Sequence, residues 1–323
     1  MKLTKKGKRE DNQICVKKER GKIIGNWREY FFPEIDKFQG MLANCDGLYN
    51  LRDVELKSVT VSAQVIELMI ARFPLERLCV WSMCVGKLSV SGVTLTSLTL
   101  DECKYLKISA SNLTSLTYAG PENSVFFEHV PNLSELSVDM DFCATFLPTG
   151  FLNGGGYISR LKRLELAMPR QAVLESVNYP LEFPETLNLE ELKIDIYGEQ
   201  EACCLWPVVL IKAAPFLRKF SVKVRFRPSI SLGQIYDVAA QRIREAAKTV
   251  RHHQYLKTID LFDYLGDPNE LELAQHLFRV SDVLEQVIVS PRFIDTECIS
   301  EINFRVQALA AWLPPPKAIL TVL

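Results

Sequence analysis

The apolar positions of the chain follow a six-residue pattern, in which a leucine is followed by apolar residues three and five positions later. The clearest instance is Leu95–Leu98–Leu100, which Cys103 and Leu106 extend. On a short strand Leu98 and Leu100 face the same side, because successive side chains of a strand alternate. One such segment cannot bury its own leucines, so it needs a similar segment on either side.

The pattern recurs ten times along the chain. Its first residues are 18 to 28 residues apart, with one step of 39, by difference of the residue numbers. A period of about 20–29 residues is typical of leucine-rich repeats. We therefore predict an α/β leucine-rich-repeat solenoid, with a curved parallel sheet on its concave face and helices and turns on its convex face. The alternative is an ordinary α/β domain. The instances begin at Leu51, Leu75, Leu95, Leu113, Leu133, Leu161, Leu189, Leu217, Leu256 and Leu284.

The length of each repeat predicts what lies opposite its strand. Between residues 88 and 138 the repeats are short enough for only a turn or an extended segment there. Apolar residues at helical spacing predict helices after Ser62, over 203–214, within 229–252 and over 297–313. Asp267, Pro268 and Glu270 match a capping box with proline at the first helical position. Residues 318–323 read as a last strand.

Composition divides the chain into three regions. Residues 1–22 hold nine Lys and Arg against three Asp and Glu, and predict a disordered basic tail. A nuclear-localisation signal or a nucleic-acid arm is the functional alternative. Residues 23–48 are apolar and aromatic, and predict an N-terminal cap on the repeats, with a partner-docking patch as the alternative. Residues 49–323 form the repeat domain.

The bulk properties narrow the class of protein. The chain is 48% hydrophobic and 24% charged with a net charge of −1, which gives no global attraction to nucleic acid or membrane. No apolar run reaches the length of a membrane span, and the basic N-terminus lacks a secretion signal. The nine cysteines are therefore expected to be reduced thiols in the cytoplasm or nucleus.

Catalytic and metal-binding motifs are absent from the sequence. There is no G-x-S-x-G, H-E-x-x-H, C-x-x-C or P-loop pattern. Adjacent His252 and His253 suggest a metal site, but no third ligand stands at a useful spacing. We therefore predict no enzymatic activity, no cofactor and no metal.

The strand positions that alternate with the core leucines are the candidate binding surface. On a concave sheet they would face a partner, and charged side chains there suit a protein or peptide with its own charge pattern. The basic strand 219–225 also makes a ligand- or nucleic-acid-binding solenoid an alternative. The candidates are Arg77, Trp81, Ser97, Thr99, Asp101, Glu135, Asp139, Glu191, Lys193, Asp195, Lys219, Lys223 and Arg225.

Several segments, taken in order, resemble the plant F-box/leucine-rich-repeat family and its C-terminal FBD-like region, here about residues 250–323. The matching segments are Ala71–Leu78 (ARFPLERL), Leu113–Pro121 (LTSLTYAGP), Val130–Leu133 (VPNL), Gly266–Ala274 (GDPNELELA), Leu284–Glu285 with Pro291–Arg292, and Leu313–Pro315 (LPP). The likeness covers about residues 50–323.

The resemblance implies a non-enzymatic protein-recognition role. In that family an F-box docks to an adaptor of a cullin-based ubiquitin ligase, and the repeats bind the protein to be ubiquitinated. No F-box pattern of Leu-Pro-x-x-x-Leu with paired helices precedes residue 50. We therefore expect the substrate-binding arm without the ligase-docking module, with a protein partner of unknown identity on the concave face. A truncated paralogue without a ligase role is a further alternative.

Overall fold

The structure is a computed structural model that describes most of the chain from residue 50 onward. The described residues are 2–3, 14–15, 22–31, 50–81, 84–101, 103–120, 125–139, 155–169, 186, 188–199, 205–227, 235–250, 252–292, 299–312 and 318–323. They divide between two compact units, Met1–Leu136 and Ser137–Leu323, which are described separately below. The predicted tail over 1–22 and cap over 23–48 fall mostly outside these residues.

Most of the described secondary structure is short β-strand. The strands of the first unit are β1 (Lys2–Leu3), β2 (Ile14–Cys15), β3 (Lys22–Phe31), β4 (Asp53–Ser62), β5 (Arg77–Trp81), β6 (Cys84–Val85), β7 (Leu88–Ser91), β8 (Ser97–Leu100), β9 (Leu106–Ser109), β10 (Ser115–Ala119) and β11 (Val125–His129). Strand β12 (Glu135–Asp139) crosses the division. Those of the second unit are β13 (Arg163–Pro169), β14 (Glu191–Glu199), β15 (Lys219–Arg227), β16 (Thr258–Tyr264), β17 (Gln286–Pro291) and β18 (Ile319–Val322).

Helices lie between the strands where the sequence predicts them. The α-helices are α1 (Ala63–Arg72), α2 (Trp206–Lys212), α3 (Ile235–Lys248), α4 (Pro268–Val280) and α5 (Ile299–Ala310), and a 3-10 helix spans Gly155–Arg160. The Ser62 side chain caps α1, and Asp267 and Glu270 form the predicted capping box of α4. These caps satisfy backbone N–H groups that a helix start leaves without partners.

The first unit carries parallel strands on both sides of its core. On one side the strands run in the order β3-β4-β5-β8-β10. On the other side β7, β9 and β11 pair in parallel. The prediction that the short repeats hold a turn or an extended segment in place of a helix is therefore confirmed, and the structure shows the extended alternative, since successive extended segments pair with each other.

The second unit is a parallel sheet in the order β13-β14-β15-β16-β17-β18. Between its strands the chain returns through α2, α3, α4 and α5. The fold is thus α/β and solenoid-like, built from successive coils that each contain one sheet strand and a return segment.

The core confirms the apolar pattern position by position. All thirty residues of the ten instances, three from each, are at most 5% exposed. Burying one leucine side chain contributes roughly 1.5–3 kcal/mol, and each coil obtains that burial only from its neighbours. Tyr118 occupies a core position with its hydroxyl donating a 2.5 Å hydrogen bond to the carbonyl of Cys103, which satisfies its polar end.

One backbone contact repeats from coil to coil. The carbonyl oxygen of Arg52 accepts hydrogen bonds from the N–H groups of both Glu76 and Arg77 in the next coil. The same double contact recurs with the acceptor carbonyls of Glu76, Thr96, Thr114, Lys162, Glu190, Arg218 and Lys257. This contact fixes the register of each strand on the one before it, and register decides which side chains face the core.

Replacing Leu98 with aspartate should unfold the first unit. Leu98 is fully buried, and a carboxylate there has no partner, so we expect a loss of about 4 kcal/mol or more of unfolding free energy. Ser97→Asp is the matched control, because Ser97 precedes Leu98 on the same strand but faces outward, in register with Arg77. Urea unfolding followed by circular dichroism measures both; equal stability of Leu98→Asp and the wild type would contradict this core.

Candidate recognition surface

The outward face of the first unit is formed by the strand residues that alternate with the core positions. The parallel register aligns them in columns across β4, β5, β8 and β10. One column is Asp53, Arg77, Ser97 and Ser115; the next is Glu55, Cys79, Thr99 and Thr117. The face therefore has long charged side chains over β4 and β5 and short hydroxyl side chains over β8 and β10.

Trp81 stands at the border of this face. It lies at the end of β5 and is 45% exposed, whereas Thr99, in register with Cys79, is 8% exposed. Arg77, on the same strand, donates two hydrogen bonds to the carboxylate of Asp53, at 2.6 and 2.9 Å. This bidentate geometry holds the guanidinium in one orientation. Of the remaining candidates in this region, Asp101, Glu135 and Asp139 are partly exposed.

The outward face of the second unit is a set of charge columns. Arg163, Glu191 and Lys219 share one column, and Arg163 forms a 3.0 Å ion pair with Glu191. In the next column Lys193 pairs with Glu165. Pairs of this kind on exposed strands contribute about 0.2–1 kcal/mol each, so they mainly hold side chains in place.

The basic strand predicted over 219–225 is balanced by carboxylates. Lys219 contacts Asp260 at 2.8 Å, Lys223 contacts Asp263 at 3.0 Å, and Arg225 contacts Asp195 at 2.7 Å. The strip is therefore electrically compensated by its neighbours. Arg225 also lies 5.8 Å from the ring centroid of Tyr197, which is within cation–π range.

Asp260 is the most buried charge on this face. Its side chain is 3% exposed, and its Oδ2 atom accepts a 2.9 Å hydrogen bond from Ser221 as well as the Lys219 ion pair. Its Oδ1 atom is buried with no hydrogen-bond partner in the described structure. A buried carboxylate depends strongly on its one cation, because losing that cation leaves an uncompensated charge.

Asp263 pairs with Lys223, although strict alternation along β16 would not place the Asp263 side chain on the outward face. The register shifts between Phe262 and Tyr264, and Asp263 has a φ of 54°. This bulge turns Asp263 toward Lys223, out of the regular alternation. Asp53, which pairs with Arg77, was not among the candidate residues either. Its place two residues before the outward-facing Glu55 nevertheless marks it as outward too.

The adjacent histidines have separate structural roles. His252 is exposed and its Nδ1 lies 2.7 Å from Asp282. His253 is buried; its Nδ1 accepts from the N–H of Leu256 at 3.1 Å, so Nε2 carries the hydrogen and donates to the Ala214 carbonyl at 2.8 Å. Burial lowers the pKa of His253, partly opposed by the Ala214 contact. The two imidazole rings thus contact different residues: His252 contacts Asp282, and His253 contacts Ala214 and Leu256.

Metal and membrane features were sought among the described residues only. No group of three or more His, Cys, Asp or Glu there is placed to hold a metal ion. None of the helices in the described ranges combines the length and apolarity that crossing a bilayer requires.

Comparison with known proteins returned no relative: no protein-family model matches the chain, and no curated protein matches its sequence. The resemblance to plant F-box/leucine-rich-repeat proteins therefore stays a prediction from the quoted segments.

Lys219→Met should destabilise the protein far more than Lys257→Met. The first change leaves Asp260 buried without its cation, and we expect a loss of about 3 kcal/mol or more. The second removes an ion pair with Glu285 in which both side chains are exposed, so about 1 kcal/mol or less is expected. Guanidinium unfolding midpoints measure the difference; equal losses would show that Asp260 is not the critical charge.

Acidification should destabilise the wild type more than His253→Gln. Because the folded-state pKa of His253 lies below the unfolded value of about 6.5, only the unfolded chain gains a proton as pH falls through that range. Glu270 acts oppositely, since burial raises its folded pKa to about 7 and protonation below that pH favours the folded state.

The wild type and His253→Gln should therefore be compared with each other across the same pH range. The melting temperature of the wild type minus that of His253→Gln should decrease from pH 7.5 to pH 5.5, because the Glu270 contribution is common to both. A difference that is constant across this range would show that His253 keeps an ordinary pKa.

Proposed function

We propose that the coils are leucine-rich repeats and that the chain is a non-enzymatic protein-recognition module. Its role would be that of the substrate-binding arm of a plant F-box/leucine-rich-repeat ubiquitin-ligase subunit, acting in the cytoplasm or nucleus. The parallel register supports this proposal, because it presents side chains from successive strands as one ordered surface. Binding residues held on regular strands need little further ordering when a partner arrives.

The exposed Trp81 is the single observation that carries the proposal. It lies at the end of β5 in register with Lys57 of β4 and is 45% exposed, and the same strand holds Arg77 in a fixed orientation. Tryptophan and arginine are enriched among the residues that dominate protein–protein binding energy.

The nucleic-acid alternative has weaker support. It rests on the basic strand over 219–225, where Lys219, Lys223 and Arg225 each pair with a carboxylate. Cations that bind a phosphate backbone must exchange such partners for phosphate, which lowers the gain from releasing counterions. A steep loss of affinity with salt would be the signature of that alternative.

Trp81→Ala should weaken the capture of a partner by about tenfold or more. The full chain, immobilised and exposed to plant extract, is compared with the variant by quantitative mass spectrometry of bound proteins. Trp312→Ala is the matched control, because Trp312 is also an exposed tryptophan, at 57% against 45% for Trp81, and it follows α5, away from β5 in the sequence.

A partner that is recovered equally by both variants would contradict recognition through Trp81. Stoichiometric recovery of a cullin adaptor that no outward-face change affects would contradict the expected lack of a docking module.

A further inference from the structure

Two cysteines of the first unit lie side by side in its core. Cys84 and Cys103 form an isolated parallel bridge between two successive coils, and both residues are at most 1% exposed. Neighbouring strands are about 4.8 Å apart, which is inside the range of roughly 4.4–6.8 Å between Cα atoms that a disulfide spans. The side chains of the two residues are also hydrogen-bonded to each other. The backbone therefore already has the spacing that a disulfide between them requires.

Packing alone does not account for sulfur at both positions. Val61, Cys84 and Cys103 occupy one column, because Val61 pairs with Cys84 as Cys84 pairs with Cys103. Val61 is as buried as the two cysteines. A hydrocarbon side chain thus fills this position in the preceding coil. Two adjacent thiols add a property that valine lacks, which is that oxidation can join them.

The contacts around the pair favour Cys103 as the reactive sulfur. The hydrogen bond from Cys84 lowers the pKa of the Cys103 thiol, although burial opposes this effect. The same hydrogen bond, burial and the nearby charges of Cys103 and Glu67 raise the pKa of Cys84. The carbonyl of Cys103 accepts the hydrogen bond from the Tyr118 hydroxyl, which holds the residue in place. Since the thiolate is the nucleophile in thiol chemistry, Cys103 reacts first.

A small oxidant is needed to reach these buried sulfurs. Strand β6, which begins at Cys84, has only two residues, and the bridge to Cys103 is isolated. Opening this contact leaves the long ladder of β4, β5 and β8 intact, so it requires only local unfolding. Hydrogen peroxide is small and uncharged, and therefore fits this route.

We propose that Cys84 and Cys103 are a redox-responsive pair, which a peroxide converts into a disulfide that links two successive coils of the first unit. The Cys103 thiolate attacks one peroxide oxygen, the O–O bond breaks, and hydroxide leaves as Cys103 becomes a sulfenic acid. The Cys84 sulfur then attacks the Cys103 sulfur, the S–O bond breaks, and the oxygen leaves as water with the Cys84 proton. In sum, two thiols and one hydrogen peroxide give one disulfide and two water molecules.

The disulfide acts on the stability of the first unit. It closes the chain between residues 84 and 103, which restricts the unfolded state and so favours the folded one. The pair is buried and includes none of the outward-face residues. The proposal is therefore independent of recognition through Trp81, and its test uses no binding partner.

The bond is detected by peptide mapping of the full chain with Cys79→Ser. Cys79 is partly exposed and in register with Thr99, so it has no cysteine beside it on β8. Trypsin cleavage after Arg77, Lys87 and Lys104 then places Cys84 and Cys103 in separate peptides, residues 78–87 and 88–104. After treatment with hydrogen peroxide and blocking of free thiols, we expect these two peptides to be joined, with the loss of two hydrogen atoms.

The melting temperature measures the consequence of the bond. Peroxide should raise it by about 5 °C or more in the wild type and in Cys79→Ser, and dithiothreitol should reverse the rise. Cys84→Val is the matched control, because valine occupies this column at Val61. In that variant peroxide should give no rise, and Cys103 should instead be trapped as a sulfenic acid by dimedone.

Three outcomes would overturn the proposal. The first is the absence of the joined peptide at a peroxide concentration that oxidises Cys79 in the wild type. The second is a joined peptide without a rise in melting temperature. The third is an equal rise in the wild type and Cys84→Val, which would assign the stabilisation to another residue.

Discussion

Every coil of this protein depends on its neighbours to cover its leucines. A single coil has one layer of apolar side chains and no second layer against which to bury them. The carbonyl that accepts two N–H groups of the following coil sets the spacing and register of that cover. Once register is fixed, the outward positions are fixed too, because strand side chains alternate. The packing of the core thus decides which residues form the outward face.

Local features of the sequence predicted much of the fold. The pair Leu98 and Leu100 identifies a strand through its spacing, and Asp267 with Pro268 and Glu270 identifies the start of α4 through hydrogen bonds within one helical turn. The lengths of the short repeats also predicted that their return segments are turns or extended segments and not helices. In each case the physical cause acts within a few residues, so the sequence displays it directly.

The charge environment of the surface could not be predicted in the same way. Asp260 and Ser221 are 39 residues apart in the chain, and nothing local to either residue indicates the contact. Asp263 faces Lys223 only because a bulge breaks the alternation of β16. His253 looked like half of a metal site, whereas its ring hydrogen bonds to Ala214 and Leu256 in two separate segments. Such pairings follow from tertiary packing, which periodicity does not encode.

The direction of the repeated carbonyl contact has a consequence for how the protein is made. In each described pair the acceptor belongs to the earlier coil and the two donors to the later one. A ribosome releases the earlier coil first, so an emerging segment meets acceptors that already exist. The coils can then fold in order from the amino terminus. At each stage only the coil that folded last still has exposed leucines. Slow translation between repeats would favour this order of assembly.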